Sequence, residues 1–431
     1  MKKIPIINLS SGTGRKFLTN LRSRSVARTE AAQAVVDKIL YDVKNKGDSA
    51  LFAYTKKFDH VSVTKKTIRL EPSYIKKRAA LAPAAFKAAC AEAAQRIRAF
   101  HERQRPAAFS LKTTEGVLSQ VIRPIGRAGV YVPGGVTLYP SSVLMNVIPA
   151  QIAGVAEIAL ATPPRGELDP ALAYAMALLG VSEAYRMGGA QAIAAFAYGT
   201  RSVAAVDKIT GPGNLYVALA KKAVYGTVAI DSVAGPSEVI VLADASANPQ
   251  WVALDLLAQA EHGSGDETAL CVTEDARFAT SVAECTVREI ERSPVKNVFS
   301  RLGAASLCVC VAKSRKQSIE FVNQCAPEHL EIITTTWKQD LRDIRNAGAV
   351  FAGPYSPVAM GDYFAGTNHV LPTGGAARFS SPLGVEDFVK RMSVAEISRR
   401  GLRSAARRVS VLARAERFVH HALSVERRAD A

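Results

Sequence analysis

The chain has 431 residues, of which 48% are hydrophobic and 22% are charged, so it is long enough for two or three compact units and too apolar to be disordered. Its 55 lysines and arginines exceed its 38 aspartates and glutamates and give a formal net charge of +17. Because the basic residues are spread along the chain and no basic run is interleaved with aromatic residues, nucleic-acid binding is not expected to be the main function.

The cellular setting is predicted from the first residues, the most apolar stretch and the cysteines. The first residues lead into the polar stretch Ser10–Arg15, so no secretory signal is expected. The most apolar region, 143–161, is interrupted by Asn146, Pro149 and Glu157 and does not predict a membrane span. The six cysteines contain no Cys-x-x-Cys pair, which favours reduced structural thiols over disulfides or a cysteine metal site. We therefore expect a cytoplasmic protein with no membrane partner.

The N-terminal third is predicted to hold an arm, two long helices and a hairpin. Residues 1–26 are polar and rich in Ser and Arg, which is typical of an arm with little core of its own. Apolar residues at helical spacing predict helices over 26–45 and 79–103. Alternating residues predict strands at four further places: 61–64, 67–70, 109–117 and 121–132.

From about residue 139 onwards, predicted helices and strands alternate. The predicted helices cover 141–155, 170–179, 189–197, 214–225, 251–262, 276–292 and 314–325. The predicted strands cover 157–161, 184–187, 203–209, 227–230, 239–243, 268–273, 306–311 and 330–334. Such alternation favours two side-by-side α/β units with mostly parallel sheets, followed beyond about residue 382 by a basic helical tail.

The helix predicted over Trp251–Gly263 ends in two potential metal ligands. Gln259 and His262 are three residues apart and would project from the same face of the last turn. An amide oxygen and an imidazole are half of a site for a borderline metal ion, which would need an anionic oxygen and another imidazole from elsewhere. Candidates for these lie in the second half of the chain: Glu328 with His329, Asp362 with His369, and Glu416 with His421. The other histidines, His60, His101 and His420, are predicted to be surface residues.

Three glycine-rich loops lie where a strand leads into a helix, at 126–135, 187–191 and 211–214. Backbone N–H groups at such helix starts bind nucleotides in α/β folds. None of the loops matches Gly-x-Gly-x-x-Gly or the Walker A pattern. For each loop by itself, a plain tight turn therefore remains the alternative.

Seven motifs together carry a resemblance to a known family. In chain order they are Tyr131-Val-Pro-Gly-Gly135, Gly188-Gly-Ala-Gln-Ala-Ile-Ala-Ala195, Lys208-Ile-Thr-Gly-Pro-Gly-Asn214, Ala234-Gly-Pro-Ser-Glu-Val239, Ala258-Gln-Ala-Glu-His-Gly263, Ala326-Pro-Glu-His-Leu330 and Gly361-Asp-Tyr-x-x-Gly-Thr-Asn-His-Val-Leu-Pro-Thr373. From about residue 27 to residue 421 the chain strongly resembles the histidinol dehydrogenase family. The resemblance implies a zinc enzyme, with one ion per subunit, that oxidises L-histidinol through L-histidinal to L-histidine with two NAD. These are the last steps of histidine biosynthesis.

The resemblance also assigns roles to individual residues. It implies that the zinc ligands are Gln259, His262, Asp362 and His421, although His420 is an alternative to His421. It implies that these four contact the substrate together with Ser237, His329, Glu416 and, from the neighbouring subunit, His369. For Glu416 an ion pair with a nearby arginine on its helix is the competing interpretation. The NAD contacts would be Tyr131, Gln191 and Asn214. His329 suits the base that takes the alcohol proton, and Glu328 the base that activates water.

The resemblance further implies a homodimer with exchanged terminal segments. Combined with the alternation of elements, it gives a fold of two incomplete Rossmann-like α/β domains with a small arm and a tail. The expected division is an arm over 1–26, a first α/β domain over 27–130 with 239–382 that carries the metal and catalytic residues, an NAD-binding α/β domain over 131–238, and an exchanged helical tail over 383–431.

Two other functions are compatible with parts of the sequence. A relative with the same scaffold could oxidise another small alcohol, such as an anionic sulfonated diol. The acidic residues Asp362 and Glu416 suit a cationic substrate such as histidinol, whereas an anionic one calls for Arg or Lys at these positions. A nucleic-acid binder built on an inactive enzyme fold is disfavoured because every expected catalytic residue is present.

Overall fold

The computed structural model describes residues 3–23, 29–134, 138–263, 265–303 and 306–431. In chain order, the strands within these residues are β1 (Ile6–Asn8), β2 (Arg69–Leu70), β3 (Phe109–Lys112), β4 (Gly116–Pro124), β5 (Arg127–Tyr131), β6 (Glu157–Thr162), β7 (Glu183–Arg186), β8 (Lys208–Thr210), β9 (Ala229–Ile230), β10 (Glu238–Ala243), β11 (Thr268–Thr273), β12 (Leu307–Val311), β13 (His329–Ile333), β14 (Ala349–Ala352) and β15 (Val389–Ile397).

The α-helices of the described residues are α1 (Gly12–Ser23), α2 (Thr29–Lys46), α3 (Asp48–Asp59), α4 (Pro72–Ala80), α5 (Ala84–Glu102), α6 (Pro140–Ala153), α7 (Pro170–Leu178), α8 (Gly189–Tyr198), α9 (Leu215–Val224), α10 (Pro249–Ala260), α11 (Ala276–Arg292), α12 (Lys296–Phe299), α13 (Arg315–Cys325), α14 (Trp337–Asp343), α15 (Val358–Tyr363), α16 (Arg399–Ala415) and α17 (Val419–Asp430). Two short 3₁₀ helices cover Ala376–Arg378 and Val385–Phe388. Every helix described is too short or too polar to cross a membrane.

Two six-stranded sheets form the body of the protein. The first sheet has the order β1-β12-β11-β10-β13-β14, and all of its pairs are parallel. The second has the order β2-β7-β6-β5-β8-β9 and is parallel except for β2, which is antiparallel to β7. The predicted fold class, two α/β units with mostly parallel sheets, is confirmed.

The first sheet is buried on both faces, which is why its strands are nearly continuous apolar runs. Val239 and Val241 of β10 pack with α10 and α11 on one face, while Ile240 and Leu242 pack with α1 and α13 on the other. Helix α10 begins where the side chain of Asn248 accepts hydrogen bonds from two backbone N–H groups of the first turn. Caps of this kind fix where each helix starts relative to the sheet.

The helices before residue 103 pack on the second sheet, and this corrects the expected division of the chain. Helices α2 and α3 share a hydrophobic core with α8 and α9, and α4 and α5 share another with α6 and α7. Residues 29–102 therefore belong with 131–238, whereas the sequence analysis grouped 27–130 with 239–382. The physical reason is that an amphipathic helix shows that one face is buried but not which sheet covers it.

The predicted N-terminal arm is part of the first sheet. Strand β1 pairs in parallel with β12, and Leu9 and Phe17 are buried against the core on that side. Residues 1–2 and 24–26 of the predicted arm lie outside the described residues. The described part of the arm thus packs into the core of the first sheet, whereas an arm with little core was expected.

The expected helical tail contains a strand as well as helices. Strand β15 pairs with β4 in antiparallel register over nine residues, from Val389 opposite Pro124 to Ile397 opposite Gly116, and forms a three-stranded sheet with β3. Helices α16 and α17 then pack on each other. The side chains of β15 are almost all exposed, so the strand lacks the alternation of buried and exposed residues that identifies strands in a sequence.

Candidate active site

The candidate catalytic residues lie at the amino ends of the central strands of the first sheet. Ser237 immediately precedes β10, Glu328 immediately precedes β13, and His329 is the first residue of β13. The parallel register places His329 opposite Val239. Residues that are some 90 positions apart in the sequence are therefore neighbours at one sheet edge.

His329 is held as a neutral base. Its ring is 4% exposed, and Nδ1 lies 3.0 Å from the backbone oxygen of Glu238. Because a carbonyl can only accept, Nδ1 carries the proton and Nε2 has the free lone pair. Nε2 is buried and has no hydrogen-bond partner within the described structure. Burial, together with nearby His262 and His369, lowers the pKa of His329 to about 4, so Nε2 is unprotonated at neutral pH.

Glu328 lies beside this base. Its carboxyl is 6% exposed, its Oε2 accepts a hydrogen bond of 2.9 Å from the backbone N–H of Glu238, and Ser237 also hydrogen-bonds to it. Oε2 is 3.6 Å from Nδ1 of His329. Burial raises the pKa of Glu328 well above its usual value, and the carboxyl of Asp362 adds to this. The site thus holds a neutral imidazole beside a carboxyl whose pKa is raised by burial, and both are placed to exchange protons with a substrate.

Three of the four predicted metal ligands surround the same place. Gln259 lies in the last turn of α10, while His262 lies in the turn just after the helix, not in the last turn as predicted. Asp362 is on α15, and its Oδ1 is 3.8 Å from Nε2 of His329. Burial raises the pKa of Asp362 to about 7. The amide of Gln259 is 4% exposed, and its Nε2 has no partner among the described residues.

These residues fit a zinc ion chemically. An amide oxygen, an imidazole and a carboxylate are nitrogen and oxygen donors that suit zinc. Among the described residues, however, no three His, Cys, Asp or Glu side chains are grouped closely enough to hold a metal. The Gln259 amide is buried, and its Nε2 has no partner among the described residues.

The two predicted site residues of the tail are not brought to this place. Glu416 follows α16, and His421 lies on α17 and stacks on Phe418 with ring centroids 4.9 Å apart. His421 is exposed. His369, by contrast, lies close enough to His262 and His329 of its own chain that their charges would repel. The expectation that His369 comes from the neighbouring subunit stays a prediction.

The three predicted cofactor loops converge at the carboxyl edge of the second sheet, where open α/β sheets bind ligands. The hydroxyl of Tyr131 accepts a hydrogen bond of 3.1 Å from the backbone N–H of Gly189. Gly211 has φ +111°, and a Cβ there would overlap the carbonyl oxygen of Tyr131. Gln191 is 1% exposed and its Oε1 has no partner in the described structure. Asn214 caps α9 through a bond of 3.2 Å from the N–H of Val217. The last residue of the first loop, Gly135, lies outside the described residues.

Sequence reasoning missed two features of these loops. Oδ2 of Asp59, at the end of α3, is 3.4 Å from Nε2 of Gln191. Lys221 is 2% exposed, donates to the backbone oxygen of Gly211 over 2.9 Å and forms an ion pair with Asp231, whose Oδ2 accepts from the N–H of Gly211. Neither group stands in a motif, so no sequence signal connected it to the glycine loops.

His101 is fully buried, so its prediction as a surface residue is wrong. Its Nδ1 lies 2.8 Å from the backbone oxygen of Ile97, and its Nε2 lies 3.2 Å from Nδ2 of Asn368. Asn368 precedes His369 in the chain. His101 therefore connects α5, which packs on the second sheet, to the loop that carries a site residue.

Comparisons with known proteins identify the family of the chain. A family model for histidinol dehydrogenase matches residues 22–429. The histidinol dehydrogenase of Moorella thermoacetica is 45% identical over 425 residues, which are 96% of this chain and 98% of the relative. That of Bacillus subtilis is 45% identical over 410 residues, which are 93% of this chain and 94% of the relative. The crystal structure of histidinol dehydrogenase from Elizabethkingia anophelis matches with a TM-score of 0.91 and 36% identity, covering 100% of this chain and 98% of that one. The chain is therefore an enzyme of the histidinol dehydrogenase family.

Proposed function

We propose that the enzyme oxidises L-histidinol through L-histidinal to L-histidine, with zinc as resident metal and two NAD as hydride acceptors. One observation carries the proposal: the buried, unpartnered Nε2 of His329 lies 3.8 Å from the carboxylate of Asp362. A base with a free lone pair next to a metal-ligating carboxylate is what oxidation of an alcohol requires.

In the first oxidation, the hydroxyl proton of the substrate goes to Nε2 of His329 and the hydride of the carbinol carbon goes to NAD. The hydrogen bond from Nδ1 to the oxygen of Glu238 keeps the ring in the tautomer that can accept this proton. When bound by Gln259, His262, Asp362 and His421, zinc would hold the substrate and stabilise negative charge on its oxygen. The product of this step is the aldehyde.

In the second oxidation, the aldehyde must gain water before a second hydride can leave. Glu328 takes a proton from that water as its oxygen adds to the aldehyde carbon, and His329 gives the proton of the first oxidation to the aldehyde oxygen, which yields the hydrated aldehyde and restores neutral His329. The hydrated aldehyde then gives its hydride to the second NAD and its hydroxyl proton to His329, which leaves the carboxylic acid. Burial raises the pKa of Glu328, which makes its carboxylate a stronger acceptor for this proton.

The charges of the site support a cationic substrate. Asp362 belongs to the same chain as the bases, and Glu416 would add a second carboxylate from the tail of a second copy. Opposite charges favour the ammonium group of histidinol and disfavour an anionic alcohol such as a sulfonated diol. The substrate would thus contact Ser237, Gln259 and His262 as well as His329, Asp362, Glu416 and His421.

A homodimer with an exchanged tail would complete each site. The tail leaves apolar side chains on the surface of a single chain: Met392, Val394, Val411, Leu412, Phe418 and Val419 are 43–67% exposed. Exposed apolar residues in one segment are typical of an interface. A second copy covering them would also supply Glu416 and His421, which one chain keeps away from its own site.

The test is the stoichiometry of the reaction of the purified, zinc-loaded enzyme with L-histidinol. Two NADH per L-histidine formed would support the proposal. A single NADH per substrate, or turnover only with other small alcohols, would contradict it. All six cysteines are free thiols, which suits the predicted cytoplasmic setting. Because free thiols can oxidise, the assay is run under reducing conditions.

A further inference from the structure

A carboxyl pair next to the site, formed by buried Glu331 and half-buried Asp255, has no role in the chemistry described so far. Glu331 is on β13, two residues after His329, and is 0% exposed. Asp255 is on α10, one turn before Gln259. The two side chains hydrogen-bond to each other. Buried acids that are not paired with a cation are costly, so this pair calls for an explanation.

The contacts of Glu331 reach the helix that carries Asp362. One oxygen of Glu331 accepts a hydrogen bond of 2.7 Å from the backbone N–H of Val358, the first residue of α15. Its other oxygen has no conventional donor within the described structure. Because two carboxyls can bond to each other only through a proton, that oxygen is the one that shares a proton with Asp255.

Burial favours holding this proton. It raises the pKa of Glu331 well above the usual value, and the charge of Asp255 raises it further. Burial also raises the pKa of Asp255, to about 6. Two carboxyls in contact do not both ionise. The two carboxyls therefore share a proton, which burial favours on Glu331.

The pair joins three elements that all contribute to the site. Helix α10 ends in Gln259 and is followed by His262, β13 begins with His329, and α15 contains Asp362. Helix α15 is six residues long, too short to hold its position without contacts outside itself. Resting on the proposed function, we propose that Glu331 and Asp255 are positioning residues that hold the metal ligands of this chain and the base His329 in mutual register.

The test compares variants that break the pair with variants that keep its hydrogen bonds. Glu331→Ala and Asp255→Ala remove it. Glu331→Gln keeps it, since the amide oxygen can accept from Val358 and the amide N–H can donate to Asp255. The matched control is Asp340→Ala. Asp340 is 5% exposed, accepts hydrogen bonds from the Thr334 and Thr336 hydroxyls, and lies on α14, which carries no site residue.

Two readouts are taken on the purified full-length enzyme. The first is zinc affinity by competition with a chromophoric chelator, together with kcat and KM for histidinol. We expect Glu331→Ala to weaken zinc binding by about 10- to 100-fold, as for other residues that orient metal ligands. Glu331→Gln should restore most of that affinity. Asp340→Ala should lower the melting temperature and leave zinc affinity unchanged.

The second readout is hydrogen exchange of 357–364, which needs neither zinc nor activity. Faster exchange of this segment in Glu331→Ala than in Asp340→Ala is expected, with wild-type exchange in Glu331→Gln. Equal exchange and equal zinc affinity in the Glu331→Ala and Asp340→Ala variants would overturn the positioning role. If the Glu331→Ala variant does not fold, a loss of zinc affinity in the Glu331→Gln variant would overturn the positioning role. A wild-type enzyme that binds no zinc would instead contradict the proposed function, and the exchange data would still decide the positioning role.

Discussion

Nε2 of His329 lies 3.8 Å from Oδ1 of Asp362, although the two residues come from different elements, the first residue of β13 and helix α15. The hydrogen bond from Nδ1 of His329 to the backbone oxygen of Glu238 fixes which nitrogen faces the carboxylate. A proton acceptor and a candidate metal ligand thus meet in one small buried site. The backbone of β10 sets the tautomer of the imidazole, and α15 sets the position of the carboxylate.

Substitution of the two bases should separate the two oxidations. Glu328→Gln should slow mainly the oxidation of histidinal, because it removes the acceptor of the water proton, while His329→Asn should slow both steps. Each loss should be about 10²- to 10⁴-fold in rate. Single-turnover NADH formation from histidinol and from histidinal measures the two steps. His60→Asn, at an exposed histidine, is the control. A Glu328→Gln enzyme that fails on histidinol but oxidises histidinal normally would refute this division of roles.

Much of the fold was predictable because buried parallel strands and amphipathic helices leave strong patterns. Helix α11 was predicted with its observed bounds, Ala276–Arg292, since its apolar stripe is regular and Asp275 caps it. Strand β15 was missed because nearly all its side chains are exposed. The grouping of α2–α5 was wrong because periodicity does not identify the packing partner of a helix.

The site was predictable as far as motifs carry it. The motifs led to Glu328, His329 and Asp362, which the structure brings together. They gave no indication of Asp59 or Glu331, whose contacts depend on long-range packing of α3 and α15. A sequence pattern records what a residue can do, whereas such partners become visible only when the chain is folded.

If the tail is exchanged, two inactive variants should complement each other. His262→Asn and His421→Asn enzymes should each be nearly inactive. In a mixed dimer, one site combines the intact His262 of one copy with the intact His421 of the other. Equal amounts of the two variants, denatured and refolded together, should therefore recover about a quarter of wild-type activity. His420→Asn, at the neighbouring exposed histidine, should be fully active. Full activity of His421→Asn, or no recovery on mixing, would argue against exchange.

The contact between Asp59 and Gln191 should matter for the cofactor and not for the substrate. Asp59→Ala removes the hydrogen-bond partner of Nε2 of Gln191, so the amide loses its orientation in the proposed NAD site. We expect KM for NAD to rise about 3- to 10-fold, the effect of one hydrogen bond, with KM for histidinol unchanged. The matched control is Asp37→Ala, which breaks an exposed Gln33–Asp37 pair of 2.7 Å on α2. An increase in KM for histidinol alone would place Asp59 outside the cofactor site.

His101 should make stability depend on pH. Burial lowers its pKa from 6.5, against the opposing effect of the backbone carbonyls of Ile97 and Leu383. The unfolded chain therefore binds more protons than the folded chain below about pH 6.5, so the stability due to neutral His101 is present above that pH and is lost as the pH falls towards the folded pKa. Protonated Nε2 would also face the N–H donors of Asn368.

The measurement is urea denaturation of the wild type and of His101→Gln at pH 7.5 and pH 5.5. At pH 7.5 the variant should be less stable by about 1–3 kcal/mol, the cost of leaving a buried partner unsatisfied. At pH 5.5 this difference should shrink, because only the wild type loses the contribution of a neutral imidazole. His60→Gln, which changes an exposed imidazole, should show no such dependence. A penalty for His101→Gln that stays constant or grows on acidification would mean that His101 does not titrate between the two states.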